Sequence, residues 1–231
     1  YLDRRHVQKT NAANWEGGRR LLMNRSVQAA VIENGASVIL GEGLAYDRCS
    51  VGIVTNIVSE EEDLSRWDTQ PTGGEYYTTP RSIYRTQVDV VLPSGHAVLN
   101  AEDELVADFA ELCDGEVIFF AVDPANPTLL AHLAAGKRGV TVADKRVVLR
   151  SGADEIRLSR LVDAPYIGKA KQAKNIANVL AGIAAGWAMG LSKEVMTTGM
   201  KTFGLELADP ASLILQPATK SQPKKPAPAR K

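Results

Sequence analysis

His96-Ala97-Val98-Leu99-Asn100-Ala101-Glu102-Asp103 is a short apolar run that stops at an asparagine and turns through polar residues to an aspartate. A run bounded this way reads as a buried strand over 96–100, followed by a helix that opens at Asp103 and extends to 112. Working outward, 116–122 is a second apolar run. Residues 127–135 form a second helix, with Pro127 where a missing amide costs nothing. Upstream, 49–57 and 27–33 repeat the strand pattern, the latter ending in Glu33. Pro80 opens a helix to about 91, and 15–23 suits a short helix. This alternation predicts an α/β fold, a mostly parallel sheet flanked by helices. Downstream, 139–142, 146–150 and 155–161 are short, charged and alternating, with 151–154 as a turn. They predict a small antiparallel addition. Helices over 173–189 and 192–203 follow, with Gly190 ending the first and Ser192 capping the second.

Composition narrows the function classes. The 231 residues suffice for one sizeable core, and formal charge is zero. No general basic field is there to attract nucleic acid, and no apolar run approaches the roughly 20 residues of a membrane span. Cys49 and Cys113 are too few for a disulfide framework and suit a reducing cytoplasm. Arg4, Arg5, His6 and Lys9 have no apolar segment behind them, so the start is no secretion signal. The chain begins without methionine, which predicts a fragment truncated at its amino terminus. From Pro217 onward only Ala, Thr, Lys, Ser, Gln, Pro and Arg occur. The expected organisation is therefore one domain over 1–206 and a disordered basic tail over 207–231, read as solubilising.

Parallel sheets bind ligands beyond the carboxyl ends of their strands, so the residues to weigh are those that end strands: Glu33, Asn56 and Asn100. Beside them stand Asn175 and Asn178, three residues apart at the mouth of a small-residue helix. Their amides both donate and accept, which suits the edge of a purine. The plainer readings are that Asn175 and Asn178 cap the helix, that Glu33 caps another, and that Asp103 is a first-turn carboxylate favoured by the helix dipole. The acidic run 60–63 looks like a metal site only superficially, because adjacent side chains diverge. A solvated loop is expected there.

Read as an ordered set, Val54-Thr55-Asn56-Ile57, Ala97 to Asp103 and Lys174 to Gly186 resemble the central nucleotide-binding domain of the Mur ligase superfamily. Within it, the resemblance is to the carboxy-terminal half of the cyanophycin synthetases, ATP-dependent amide ligases that polymerise aspartate and arginine. The resemblance implies ATP and magnesium as cofactors, Glu33 as the magnesium-holding carboxylate at the γ-phosphate, and Asn178 as the contact to adenine. Asn175, Asn100 and Asn56 complete the nucleotide set. Implied partners are the aspartate/arginine polymer and either arginine or an aspartyl-arginine dipeptide. A homo-oligomer is implied for the full-length protein.

The departures from that family are specific. No glycine-rich phosphate loop with lysine and serine or threonine occurs. Gly17-Gly18-Arg19-Arg20 sits in an expected helix and is no substitute. Asn34 to Gly41 replaces a stretch that carries two arginines in the family. Val58-Ser59 stands where an Asp-His pair is expected, with His6, His96 and His132 all distant in sequence. Ser82 to Tyr84 falls where the family has a lysine, and Arg85 cannot take its place. The family's third domain is expected after Phe203, where this sequence reads as a tail instead. The reading is therefore a synthetase half whose own chemistry is lost or weakened, with no catalytic residue assigned. Its rival is a scaffold half in a shortened enzyme that joins preformed dipeptides elsewhere. A dehydrogenase-like nucleotide binder is discounted for want of a Gly-x-Gly-x-x-Gly turn.

Overall fold

The computed structural model describes residues 12–57, 80–167 and 173–203. Six strands form a single sheet in sequential order: β1 (Cys49–Val54), β2 (Val91–Asn100), β3 (Glu116–Phe120), β4 (Arg138–Ala143), β5 (Arg146–Ser151) and β6 (Asp154–Arg160). Strands β1 to β4 are parallel, and β5 and β6 add antiparallel. The expected α/β architecture is therefore present, with one shift. β4 belongs to the parallel set through its pairing with β3, and only β5 and β6 form the antiparallel addition. The tight Gly152 turn joins them, with Gly152 at φ +58°.

Two helical layers cover the sheet. On one face lie α3 (Pro80–Tyr84), α4 (Thr86–Asp89), α5 (Glu104–Ala107) and α6 (Pro127–Ala134), the crossovers between parallel strands. Val88, Val106, Phe109, Leu129 and Leu133 bury there against Leu99 and Phe119. The other face is covered by α7 (Ala173–Ala188) and α8 (Lys193–Thr202), whose Leu180, Ile183, Met196 and Met200 pack on Val98, Ile118, Phe120 and Leu149. Residues 97–99 and 118–120 thus supply both cores alternately, which is why these strands read as continuous apolar runs. Close approach tightens the first crossover. A Cβ on Gly52 would stand 2.2 Å from the Gln87 carbonyl oxygen, so only glycine lets α4 sit on β1.

Helix termini follow their sequence signals. Asn14 caps α1 (Trp15–Leu22) through Gly17 N at 2.8 Å, Asn126 caps α6 through Leu129 N at 3.0 Å, and Ser192 caps α8 through Val195 N at 3.3 Å. Three expectations need correction. Residues 27–33 form no strand: the segment stands across a cavity from β1 without pairing, and Val31 is 88% exposed. The helix expected over 80–91 breaks at Arg85 into α3 and α4, because Val91 is drawn into β2. The helix expected over 103–112 is α-helical only through Ala107 and finishes as a 3-10 turn over Asp108–Leu112. A further helix, α2 (Ala36–Gly41), follows Glu33. The acidic run 60–63, residues 58–59 and the tail from 207 lie outside the described residues.

Candidate functional site

The carboxyl edge of the parallel strands is laced together by polar side chains that follow β2 and β3. Asn100 donates from Nδ2 to the Thr55 carbonyl at 2.9 Å and accepts the Glu102 amide on Oδ1 at 2.9 Å. Asp103 accepts the Ile57 amide at 2.9 Å with one oxygen and caps α5 through Val106 N at 3.2 Å with the other. Glu102 accepts the Asp123 amide at 2.8 Å, and Asn126 donates to the Ala101 carbonyl at 3.1 Å. These bonds tie the loops after β1, β2 and β3 into one rim. The first-turn role weighed for Asp103 is seen. Asn100 spends both ends of its amide on the backbone, which makes it a clamp that positions Thr55 and Asn56.

Beside this rim a cleft of about 460 Å3 opens at the end of β1, lined by Glu33, Asn34, Thr55, Asn56, Tyr84 and Gln87 among others. Glu33 and Asn56 are brought together here, both exposed, although Glu33 arrives on an unpaired segment rather than at a strand end. Asn56 Oδ1 accepts from Thr55 Oγ1 at 3.1 Å. One carboxylate flanked by neutral oxygens suits a magnesium ion that draws its other ligands from water and phosphate. Among the described residues no lysine or arginine lines the cleft. It therefore fits the metal end of a nucleotide better than the triphosphate itself, which needs compensating cations.

Gln87 is a residue that the sequence pattern did not reveal. It is 8% exposed, and its Oε1 accepts from the Tyr46 hydroxyl at 3.3 Å and the Asn34 amide at 3.4 Å. Its Nε2 has no partner among the described residues. Burial pushes the Tyr46 hydroxyl pKa up, so it stays protonated and can donate. Asn34 and Gln87 of this polar knot line the cleft, whereas Tyr46 lines the neighbouring cavity, which Gln87 also borders. Nothing in the 80–91 pattern separates Gln87 from an exposed helix residue.

The second group of expected site residues sits on α7. Trp187 stacks with the Arg138 guanidinium at 5.2 Å, over the first residue of β4, while Ala185 and Met189 border a cavity that includes Cys49, the first residue of β1. The carboxyl end of α7 thus lies over the strand beginnings. A 16-residue helix runs about 24 Å, so its amino-terminal turns lie toward the strand ends. Asn175 and Asn178 fall inside these turns. They do not cap the helix; they hold Tyr166, Asn178 through its hydroxyl at 3.3 Å and Asn175 through its carbonyl at 3.5 Å. Asn178 is exposed and borders a groove between α7 and α8, and no lining residue is shared between that groove and the Glu33 cleft.

Other candidates lie away from this edge. His96 faces Glu116 at 3.7 Å near the strand beginnings, and His132 is buried with Nε2 3.0 Å from the Val117 carbonyl. In the Gly17–Arg20 stretch, Arg20 pairs with Glu16 and Arg19 lies over Trp15 in α1, so it is no phosphate loop. Arg85 pairs with Asp89 at 2.8 Å. Among the described residues no group of three or more His, Cys, Asp or Glu could hold a metal alone, and no helix is long and apolar enough to cross a membrane.

No protein-family model matches the chain. It is similar to the cyanophycin synthetases of Synechocystis sp., Crocosphaera subtropica and Geminocystis herdmanii, at 30%, 29% and 28% identity over 203 residues, 88% of this chain. The chain spans 22% of the length of those relatives. MurF from Acinetobacter baumannii superposes at a TM-score of 0.47 with 16% identity, covering 78% of this chain and 35% of that one, too loose a match to support detail. Over most of its length the chain is thus related in sequence to one segment of the cyanophycin synthetases.

Proposed function

We propose that the chain is the nucleotide-binding Mur-type segment of an ATP-dependent carboxylate-amine ligase of the cyanophycin synthetase kind, and that its own chemistry is weakened. The observation that carries the family reading is the 203-residue similarity. The cleft supports the weakening: Glu33 and Asn56 meet at the end of β1 with no cation among the described lining residues. When bound, ATP with magnesium supplies the phosphoryl group that activates a carboxylate for attack by an amine. Glu33 would hold the metal with Asn56 beside it, and Asn178 would present its amide to adenine at the mouth of α7. Asn100 and Asp103 keep the Thr55–Ile57 loop in place. Charge neutralisation of the phosphates would have to come from outside this cleft.

On this proposal the partners are an aspartate/arginine polymer and aspartyl-arginine units in a cytoplasmic, homo-oligomeric enzyme. The segment serves as scaffold while extension proceeds at another centre of the longer protein. The convergence of Glu33 and Asn56 favours the second reading, an arginine-adding site that still works. The test supplies the longer protein with ATP, primer and either free aspartate plus arginine or the dipeptide, and follows polymer mass. Polymer should grow from the dipeptide alone. Robust growth from the free amino acids that Glu33→Ala abolishes would overturn the weakened reading.

A further inference from the structure

A 3-10 turn over Pro165–Ile167 precedes α7 in the chain. It is anchored by Ala164 and Ile167, which are buried in the core beneath that helix. Tyr166 sits in this turn, partly buried, and meets α7 twice. Its carbonyl accepts from Asn175 Nδ2 at a long 3.5 Å, and its hydroxyl accepts from Asn178 Nδ2 at 3.3 Å. Asn175 and Asn178 are three residues apart and so neighbours on one helix face. The turn is thereby tied to the helix mouth, and the Asn178 amide is tied with it.

An amide has a donor end and an acceptor end, so an asparagine distinguishes one base from another only when its orientation is held. Here the Tyr166 hydroxyl takes one N–H of Asn178, and among the described residues Oδ1 and the second N–H are left for a ligand. An acceptor beside a donor matches the amino group and ring nitrogen of adenine and opposes the carbonyl of guanine. The groove of about 490 Å3 that Asn178 borders also suits a flat ring. Phe203 lines it, 64% exposed, with its ring 5.0 Å from that of Tyr166. Bases stack on such rings. Gly182, one turn beyond Asn178, leaves the wall bare, since a Cβ there would meet nothing within 4 Å.

We propose that Tyr166 is a positioning residue of the base site, whose hydroxyl holds the Asn178 amide in the orientation that accepts adenine and rejects guanine. The proposal rests on the reading of α7 as nucleotide-binding. The probes are AMP and GMP, whose single phosphate needs fewer compensating cations than a triphosphate. Binding to the chain is followed by NMR at the Asn178 side-chain amide and the Gly182 backbone amide. AMP should bind about tenfold more tightly than GMP. Tyr166→Phe keeps the ring and removes the hydroxyl, and the preference should fall about fivefold. In Asn178→Ala the preference should disappear, and adding Tyr166→Phe should change it no further, because the hydroxyl acts through that amide. A preference unchanged in Tyr166→Phe, or an equal loss for both nucleotides, would overturn the proposal and leave the nucleotide site standing. Tighter binding of GMP would also overturn it, since the hydroxyl would then be donating to Oδ1. Binding of neither nucleotide would remove the site and the proposal together.

Discussion

Asn100 links the backbone of two loops through a single amide, and its removal leaves the Thr55 carbonyl and the Glu102 amide without those partners. Asn100→Ala should cost about 1 to 3 kcal/mol by leaving polar groups unpaired, read as a lower denaturant midpoint with an unchanged slope. A loss below about 0.5 kcal/mol would show that water replaces the clamp. His132 contributes to the pH dependence of stability. Burial, opposed in part by the hydrogen bond to Val117, holds its pKa below the usual histidine value of 6.5. The unfolded chain therefore takes up the proton first, so stability falls as pH drops below about 6.5 and levels off once the folded state also protonates. In His132→Leu that share of the slope below about pH 6.5 should vanish, measured by denaturation at several pH values. Residue types at strand ends were legible in the sequence, whereas their partners were not. Asn100 meets Thr55 across 45 positions and Asn34 meets Gln87 across 53, distances that no local pattern encodes.

At the scale of elements, Gly52 decides how the first crossover lies. Its Cα faces the Gln87 carbonyl, and an added methyl would stand 2.2 Å from that oxygen and 2.8 Å from Val91 Cγ2. Neither neighbour is the end of a long flexible side chain, so α4 must lift from β1. Gly52→Ala should destabilise the chain by about 1 to 3 kcal/mol and loosen the Gln87 knot, seen as faster exchange of the Val88 and Asp89 amides. A neutral substitution would mean that α4 is free to shift. Elements with end signals were readable: Pro127 opens α6, the left-handed Gly190 ends α7 and Ser192 caps α8. Residues 27–33 misled because an apolar run states that a segment prefers burial and says nothing of a pairing partner. β4 misled in the opposite way. Its short charged flanks matched those of the following hairpin, while its parallel register with β3 rests on Ile118, Phe119 and Phe120, twenty residues upstream.

At the scale of the whole molecule, the sheet order carries every parallel strand end, and the amino-terminal turns of α7, toward one edge. Such an edge is where α/β proteins place ligands, and the helix amino terminus adds a partial positive charge to it. Geometry alone does not cleave ATP. Phosphoryl transfer depends on positioned cations around the phosphates, and the sequence holds no glycine-rich loop with its lysine. Glu33 in the cleft adds negative charge, which repels a triphosphate at close range unless a metal intervenes. The chain by itself should therefore release no phosphate from ATP with magnesium, with or without aspartate polymer and arginine. The measurement is phosphate release from purified protein against a heat-treated control at several enzyme concentrations. Release proportional to enzyme, and lost in Glu33→Ala, would show that the edge gathers the missing charge from another part of the chain and that the segment is a working ligase centre.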